Sequence, residues 1–317
     1  MIRPKVLLTL LLLVLSACSQ AKPSVVQPKA AVSSELPGAL LCMIDNHLAA
    51  YPQSGLAEAD VVYEVLAEGG ITRFLAVFYR QNPEVIGPVR SAREYFAEIA
   101  AAYDAPYAHA GGHVRALHRI KQLGLLDVDE IYNASPYFWR DQNRKMPHNL
   151  YTSADRLMEW ADDHNVTLVP PVDWPSDAPL PASKQPADWL KIQYNLSKSY
   201  QYVPSYLWRD DCYQRLVNGR PHLDSAGMEI TAKAVVVLVA PTKSVIDQVL
   251  ISEVALIGQG SALIFRDGLV YHGEWVKQSP HDQFQFLYQG TPLALPPDGP
   301  IWIQVVGKID DLIFGQN

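Results

Sequence analysis

Cysteine is scarce in this chain, with three among 317 residues, which excludes a small domain held together by many disulfides. Long apolar runs are also missing. The run VLLTLLLLVL near the N-terminus has about ten residues, whereas a helix that crosses a bilayer needs about 20. The chain contains neither a G-x-S-x-G elbow nor a Walker phosphate loop. These absences leave a fold that depends on its apolar core and a function that no short motif assigns.

The N-terminus has the pattern of an export signal. Arg3 and Lys5 precede the short apolar run, which ends in LSAC at residues 15–18. Such a start is typical of a secretory signal peptide, and small residues directly before a cysteine are typical of the cleavage site of bacterial lipoproteins. We therefore expect residues 1–17 to be a signal peptide and Cys18 to be lipidated, which would anchor the exported protein to the outer face of a bacterial membrane. The alternative is an ordinary signal peptide in which Cys18 is incidental.

The segment that follows, residues 18–38, is rich in Ser, Ala, Pro and Lys and has no apolar period. A segment of this composition buries too little apolar surface to offset the loss of chain entropy. We expect it to be a flexible tether between the membrane and the folded part.

The chain is acidic, with 26 Lys and Arg against 33 Asp and Glu and a net charge of −7 at pH 7. Loss of Arg3 and Lys5 with the signal peptide leaves 24 basic residues and a net charge of −9. This balance argues against nucleic acid as a partner and against general affinity for anionic membranes. An anion-binding site would have to be local, built by the placement of individual arginines.

Two cysteines, Cys42 and Cys212, remain after lipidation of Cys18. They could form a disulfide in an exported protein. Cys42 lies in the apolar run ALLCMI, however, where a free cysteine behaves as a small buried hydrophobic residue, and this second interpretation is favoured.

A composition break divides the rest of the chain. Residues 170–189 contain six prolines, which exclude regular helix and central strand. We predict an N-terminal domain at residues 39–168, a Pro-rich connection at 169–189 and a C-terminal domain at 190–317.

The two predicted domains differ in fold class. The first contains the strand-like runs ALLCMID, DVVYEVL and RFLAVFY, and helical patterns at residues 91–103, 113–124 and 153–164, with Ser91 and Ser153 as N-caps. This order predicts a layered α+β or α/β domain. The second contains short runs such as AVVVLVA, EVALIGQ and IWIQVVG, separated by turns, which predict a mostly antiparallel β domain.

Polar residues cluster at the ends of the predicted segments of the first domain. Ligands of open α/β sheets gather at the carboxyl ends of strands, so polar residues repeated at such ends indicate a site. The predicted ligand-binding residues are Asn46, Arg73, Arg90, Ser91, Arg93, His109, Gly111, Gly112, His148 and Asn149.

The segment PVRSAR suggests that the ligand is an anion. It combines two guanidinium groups with the start of a predicted helix, where free backbone N–H groups carry partial positive charge. The arginine fork matches the paired oxygens of phosphate or carboxylate. The alternative is that Arg90 and Arg93 form structural ion pairs with Glu64, Glu68 or Glu94.

Three carboxylates, Asp45, Glu64 and Glu68, are the predicted catalytic residues, because a pair of carboxylates can perform acid–base chemistry on a glycosidic bond. Among the histidines, His113 and His118 are spaced i and i+5, and would point apart on a helix. We therefore predict no metal ligands, and the sequence identifies no cofactor.

Long stretches of the chain resemble the YerB-like lipoproteins of bacteria, a family of two domains of unknown function. The resemblance lies in CMIDNHLAAYPQSGLAEADVVYEVLAEGGITRFLAVF, GPVRSAREYF, HAGG, YQRLVNGRPHLD and GTPLALPPDGPIWIQVV, and covers nearly everything from residue 40 to the end. It implies a lipoprotein of the cell envelope without implying a reaction.

A looser similarity links the chain to the LytR-CpsA-Psr phosphotransferases, which attach polymers from lipid-diphosphate carriers to the cell wall. The order Asp45, Asp60, PVRSAR, AHAGGHVRAL is similar to the order of functional segments in that family. Glu58 stands where the family has an arginine, so one ligand-holding residue differs.

Two functions fit these observations. The first is a hydrolase or phosphotransferase of the envelope that processes cell-wall glycan or its lipid-diphosphate-linked precursor. In it Arg73, Arg90 and Arg93 would bind the anion, and Asp45 would orient a metal or act as a base. The second is a non-catalytic binding or scaffold lipoprotein that captures an anionic glycan or a protein.

Overall fold

The structure is a computed structural model that describes residues 36–171, 174–176, 180–181, 185–194, 202–247 and 249–316. The predicted signal peptide, Cys18 and nearly all of the predicted tether lie outside these residues. The described residues contain three α-helices: α1 (Glu94–Ala100), α2 (Val114–Leu123) and α3 (Ala154–Asp163).

Strands dominate the described residues. In chain order they are β1 (Leu40–Asp45), β2 (Val61–Leu66), β3 (Thr72–Phe78), β4 (Tyr107–His109), β5 (Asp127–Asp129), β6 (Trp139–Arg140), β7 (Leu150–Tyr151), β8 (Trp189–Ile192), β9 (Pro204–Arg209), β10 (Cys212–Val217), β11 (Arg220–Pro221), β12 (Thr231–Ala232), β13 (Ala234–Val239), β14 (Thr242–Asp247), β15 (Val249–Val254), β16 (Gly258–Arg266), β17 (Leu269–Lys277), β18 (Gln285–Tyr288), β19 (Thr291–Pro292), β20 (Ile301–Val306) and β21 (Leu312–Gly315).

One large sheet combines strands from both halves of the sequence. Its order is β19-β18-β17-β16-β13-β20-β2-β3-β1-β4-β5. The late strand β20 pairs in parallel with the early strand β2, with Val62 opposite Trp302. Accordingly, Ser33–Asn317 form one compact unit.

Most strands at the centre of this sheet point the same way. Strands β5, β4, β1, β2, β20 and β13 are mutually parallel, and β3 runs against its neighbours β1 and β2. Their carboxyl ends therefore share one edge of the sheet, which we call the carboxyl edge. Because β3 runs in the opposite direction, it brings its first residues to this edge, with Arg73 opposite Asp45.

The central sheet is buried on both faces, which explains the continuous apolar runs of β1 and β13. Leu41 and its neighbours on one face pack in a cluster with α1 and α2. Cys42 and the opposite face pack in a second cluster with α3 and with residues of β8, β9 and β10. These last strands belong to a second sheet of order β11-β10-β9-β8-β21, in which β12 also pairs with β10.

Two small hairpins complete the fold. One consists of β6 and β7, and the other of β14 and β15. The β14–β15 hairpin touches the Glu68–Gly70 turn and α1 through β15, and therefore borders the carboxyl edge.

The C-terminal part is antiparallel β, as predicted, apart from the parallel pairing of β13 with β20 and of β20 with β2. The run EVALIGQ is not one strand, because β15 ends at Val254 and β16 begins at Gly258. The predicted helix ends are confirmed for α2, which is capped by Gly124 with a positive φ, and for α3, which is capped by Ser153.

The start of α1 differs from the prediction. The helix begins at Glu94 after Arg93, and Ser91 is not its N-cap. Residues 87–93 run extended instead, with bridges from Val89 to Ile44 and from Ala92 to Gly112. The pairing of this segment with β1 and with the loop after β4 prevents an earlier helical turn.

Neither Cys42 nor Cys212 forms a disulfide, and Cys42 is fully buried in the core. Burial raises the pKa of the Cys42 thiol, so this group stays protonated and behaves as an apolar core residue. The favoured interpretation of its sequence context is confirmed.

Candidate functional site

The carboxyl edge brings together many of the polar residues that the sequence singled out. Asp45 ends β1, Glu68 follows β2, Arg73 lies near the start of β3 and His109 ends β4. Strands that are far apart in sequence place these side chains at one edge because their directions and registers are fixed by the buried sheet.

The segment that carries the arginine pair crosses this edge. The Arg90 N–H donates to the carbonyl of Met43, at 2.9 Å, and the Ala92 N–H donates to the carbonyl of Gly111, at 2.9 Å. These amides are therefore engaged, and the helix-start N–H groups that the sequence offered for an anion are not available at Arg90 and Ala92. What remains for a ligand at this segment is its guanidinium groups.

Two of the three arginines at this edge have carboxylate neighbours. Arg93 donates from Nε to Glu68 Oε2 at 2.6 Å, and the Arg90 Nε lies 3.1 Å from Asp45 Oδ2. The second contact is an ion pair without hydrogen-bond alignment, since the side-chain Nε–H of Arg90 has no hydrogen-bond partner within the described residues. The side chains of Arg90 and Arg93 are 26% and 16% exposed, so both can reach a ligand.

Arg73 is the exceptional member of this group. It is 8% exposed and donates to the carbonyl of Ser91 at 2.8 Å. Its Nε has no hydrogen-bond partner, and no carboxylate within the described residues lies within 4.0 Å of its guanidinium group. Burial, followed by the charges of Arg93 and Arg90, lowers the pKa of Arg73 to about 10. Arg73 is therefore a buried cation that forms no direct ion pair with a described residue, although the more distant charge of Asp45 raises its pKa.

Asp45 organises the other end of the site. This buried carboxylate accepts the His47 N–H at 2.9 Å and lies 2.7 Å from Nδ1 of His148. The imidazole rings of His47 and His148 are stacked, with centroids 4.6 Å apart. Asp45, Arg90 and His148 therefore form one contiguous group.

Asn149 has a different position from its neighbour His148. It is 5% exposed and donates through Nδ2 to the carbonyls of Asp141 and Arg144. Its amide thus fixes the loop that presents His148. This is a supporting contact in place of the ligand contact that the sequence suggested.

Glu64, one of the predicted catalytic carboxylates, is fully buried in a polar network with the second sheet. Arg215 donates to its Oε2 at 2.7 Å, and Tyr202 and Thr72 donate to its Oε1 at 2.5 and 2.7 Å. Burial raises the pKa of Tyr202 well above its usual range, so the phenol keeps its hydrogen and donates. The Arg215 guanidinium also lies 4.4 Å from the ring centre of Trp302. Glu64 is enclosed and paired, and no ligand can reach it in this arrangement.

A chain of hydrogen bonds connects this buried pair to the carboxyl edge. Arg215 can only donate, so Nδ1 of His222, at 3.3 Å, accepts, and Nε2 of His222 donates to Gln53 Oε1 at 3.0 Å. Gln53 in turn donates to the carbonyl of Asp45 at 3.1 Å and to Asn46 Oδ1 at 3.3 Å. Asn46 is completely buried within this chain, which gives it a structural contact where the sequence suggested a ligand contact.

His109 belongs to a closed cluster beside the arginines. Its Nε2 lies 2.8 Å from Asp127 Oδ1, and its Nδ1 lies 3.1 Å from the carbonyl of Gly111 and 3.7 Å from Asp129 Oδ2. Asp127 and Asp129 were not predicted as site residues from the sequence. Their i and i+2 spacing on a strand would have indicated that both side chains lie on one face of that strand. One ligand atom from each of these three side chains lies within 4.8 Å of the others, but both ring nitrogens of His109 already face protein acceptors.

The two predicted glycines have steric roles next to this cluster. Gly111 has φ +59°, and a Cβ there would meet Ile131 at 2.8 Å. A Cβ at Gly112 would lie 3.2 Å from the carbonyl of Ala92. Gly112 therefore allows the Ala92 segment to approach the end of β4, and Gly111 allows the close approach of Ile131.

A cavity of about 590 Å³ opens next to the arginines, between α1 and the β14–β15 hairpin. Tyr95 lines it and donates to the carbonyl of Leu66. Burial raises the pKa of the Tyr95 phenol, and the charges of Glu68, Arg93 and Arg73 also act on this pKa. Apolar walls come from residues at and beyond the end of β15, namely Val254, Leu256 and Ile257. On the rim, Arg115 pairs with Glu94 and Glu253.

Two family models match the chain, one for each half. The N-terminal domain of DUF3048, a protein of unknown function, matches residues 28–167, and the DUF3048 C-terminal domain matches residues 190–303. The chain belongs to the DUF3048 family. The family description assigns no activity.

Relatives of known structure and sequence agree with this assignment. "Putative lipoprotein YerB" of Bacillus subtilis (strain 168) is 31% identical over 274 residues, which cover 84% of this chain and 81% of that protein. The crystal structure of the YerB protein from Bacillus subtilis matches with a TM-score of 0.79 at 28% identity and covers 92% of this chain and 97% of that one. The resemblance to YerB-like lipoproteins is therefore confirmed. Within the described residues, every helix is too short or too polar to cross a bilayer.

We predict that Arg215→Met lowers the free energy of unfolding by about 3–5 kcal/mol, because it leaves Glu64 buried without its cation. The double variant Glu64→Gln/Arg215→Met should recover part of this loss. Unfolding in guanidinium chloride measures both. Arg156→Met on α3, where the side chain is 49% exposed, is the matched control and should change stability by less than about 0.5 kcal/mol. Equal effects at Arg215 and Arg156 would contradict the proposed role of the pair.

A second prediction concerns pH. Burial and then the charge of Arg215 lower the pKa of His222 well below its usual value, so the unfolded chain binds a proton at this residue that the folded protein does not. Stability is therefore fully present above about pH 6.5 and falls as the pH decreases below that value, by up to about 1.4 kcal/mol per pH unit. Denaturant unfolding at pH 7 and pH 5 should show a smaller loss for His222→Gln, whose amide can keep both hydrogen bonds, than for the wild type. An identical loss in both proteins would show that His222 is not the titrating group.

Proposed function

We propose that this protein is an exported lipoprotein, anchored through Cys18, whose carboxyl edge binds the anionic group of a cell-wall glycan or of its lipid-diphosphate-linked precursor. Membership in a family with a lipoprotein relative supports the envelope location. The anionic ligand is argued from the described residues of the carboxyl edge.

The uncompensated charge of Arg73 is the observation that carries this proposal. Buried cations in proteins are ordinarily paired or hydrogen-bonded, because desolvation without a partner costs several kcal/mol (order of magnitude). Arg73, Arg90 and Arg93 bring three positive charges to this edge, where Asp45 pairs with Arg90 and Glu68 pairs with Arg93, and no described carboxylate lies within 4.0 Å of Arg73. An anion at this edge would supply the missing counter-charge.

The adjoining cavity favours an anion that is attached to an apolar chain. Arg93 directly precedes α1, which lines the cavity through Glu94, Tyr95 and Glu98. The lining is mixed, with its apolar part at 254–257. A diphosphate on a polyprenyl chain has this combination of a charged head and an apolar tail.

A second candidate function is non-catalytic capture of the same anion by a scaffold lipoprotein. It is favoured by the state of two of the predicted catalytic carboxylates. Glu64 is enclosed and bound by Arg215, so no substrate can reach it. Glu68 is paired with Arg93 through Oε2, and its Oε1 is buried without a hydrogen-bond partner among the described residues.

We predict that Arg90→Ala and Arg93→Ala each weaken the binding of inorganic diphosphate about 10- to 100-fold, because each removes charge-assisted hydrogen bonds worth about 1.5–3 kcal/mol. Their melting temperatures should change little, since partly exposed ion pairs contribute about 0–1 kcal/mol. Isothermal titration calorimetry and thermal unfolding measure these effects, and Arg156→Ala is the matched control. Unchanged affinity in both variants, or a wild type that binds no diphosphate, would refute the anion site.

The anchor is tested separately. Cys18→Ala should abolish lipid attachment and release the exported protein from membranes, because the described residues contain no spanning helix to replace the lipid. Metabolic labelling with a palmitate analogue and ultracentrifugation of cell envelopes measure the two effects. Full retention on the membrane with loss of the label would show that another contact holds the protein there.

A further inference from the structure

His148 has an arrangement that the anion site alone does not require. Its Nδ1 lies 2.7 Å from Oδ2 of Asp45, a carboxylate that is 2% exposed. Because the carboxylate is the acceptor, Nδ1 carries the hydrogen, and Nε2 is the basic nitrogen of the neutral ring. The tautomer of His148 is therefore set by Asp45.

The other ring nitrogen is open. Nε2 of His148 has no hydrogen-bond partner among the residues that the structure describes, and the side chain is 15% exposed. Nε2 is not one of the fully buried unpartnered atoms of the described residues, so solvent or a ligand can reach it.

Three further contacts fix the orientation of the ring. It stacks on His47 with an interplanar angle of 16°. His47 is itself held, because its Nδ1 accepts the Ala49 N–H at 3.1 Å. The backbone N–H of His148 donates to the carbonyl of Lys145 at 3.0 Å. Such a preorganised imidazole loses little freedom when it meets a substrate.

Asp45 and His148 form a hydrogen-bonded dyad, which lies beside the arginines. Nε of Arg90 and Nδ1 of His148 approach the same oxygen of Asp45, at 3.1 and 2.7 Å. An anion bound by Arg90 is therefore close to the imidazole. Both oxygens of Asp45 are already engaged, because its Oδ1 receives the His47 N–H and its Oδ2 faces both Arg90 and His148.

We propose that His148 is the general base of a phosphoryl-transfer reaction on a phosphate ester or diphosphate bound at Arg73, Arg90 and Arg93, and that Asp45 is its positioning residue. This inference rests on the proposed function, since it needs the anion at the arginines. The sequence predicted carboxylates as the catalytic groups, whereas here a histidine transfers the proton through Nε2.

In the hydrolytic case, water is the nucleophile. A water molecule gives a proton to Nε2 of His148 while its oxygen forms a bond to phosphorus. The bond from phosphorus to the leaving oxygen breaks, and the leaving oxygen takes the electron pair. His148 then returns the proton to the leaving oxygen or to solvent, while the arginines stabilise the charge on the phosphoryl oxygens. A sugar hydroxyl can replace water, in which case the phosphoryl group is transferred.

The test measures binding and turnover on the same full-length proteins. The probes are inorganic diphosphate for affinity, and bis(p-nitrophenyl) phosphate and farnesyl diphosphate for turnover. We expect the wild type to hydrolyse at least one ester probe and His148→Ala to be slower by about 10²- to 10⁴-fold, with little change in diphosphate affinity. His118→Ala, at an exposed position on α2, is the matched control and should retain full turnover.

Asp45→Asn tests positioning separately from folding. Its amide can donate to Nδ1, which would favour the tautomer with hydrogen on Nε2 and remove the open base. Long-range ¹H–¹⁵N spectra of the His148 ring should show this change, together with a loss of turnover, while the melting temperature reports any structural effect. An unchanged tautomer in Asp45→Asn would overturn the positioning role.

The remaining outcomes separate the two proposals. Wild type that binds diphosphate but hydrolyses neither ester overturns the dyad and leaves the anion site standing. Full turnover in His148→Ala also overturns the dyad. Wild type that binds no diphosphate overturns the anion site and, with it, this inference.

Discussion

The buried ion pair between Glu64 and Arg215 is the contact on which the arrangement of the whole molecule depends. It joins a strand of the central sheet to a strand of the second sheet, and both side chains are completely buried. Two opposite charges in an apolar interior must stay in contact, because separating them leaves each charge buried without a partner, which costs free energy. The hydroxyls of Thr72 and Tyr202 and the ring of Trp302 complete the enclosure. The hydrogen bonds through His222 and Gln53 then extend this fixed geometry to the end of β1, where Asp45 lies.

The carboxyl edge contrasts with this interior. Arg73 lacks a carboxylate partner among the described residues, and Nε2 of His148 has no hydrogen-bond partner among them. The buried pair of Glu64 and Arg215 is balanced in charge, although Nε of Arg215 has no hydrogen-bond partner among the described residues. Arg73 has no such carboxylate partner, and groups of this kind are often found at functional sites. The neighbouring cavity adds apolar surface to the same region.

The parts that the sequence predicted well depend on local patterns. The buried strands β1, β2 and β3 follow from short apolar and β-branched runs, and α2 and α3 follow from their caps at Gly124 and Ser153. Their polar ends were sufficient to locate the carboxyl edge. Prediction was weaker for contacts between residues that are far apart in the sequence. Arg215 is 151 positions from Glu64, so no local pattern reveals their pairing. Similarly, Ser91 and Glu94 match a capping box, but the bridges of Val89 and Ala92 to other segments take precedence over that local preference.

Because β20 pairs with β2, the two halves of the chain depend on each other for a complete sheet. The two halves that the family models separate share a continuous backbone ladder, with β2 flanked on one side by a strand from the far end of the chain. A gene fragment that encoded the first half alone would leave the inner edge of β2 without its partner, exposing unpaired amides and carbonyls that promote aggregation. Recombination between relatives should therefore preserve both halves together, whatever chemistry the arginines serve.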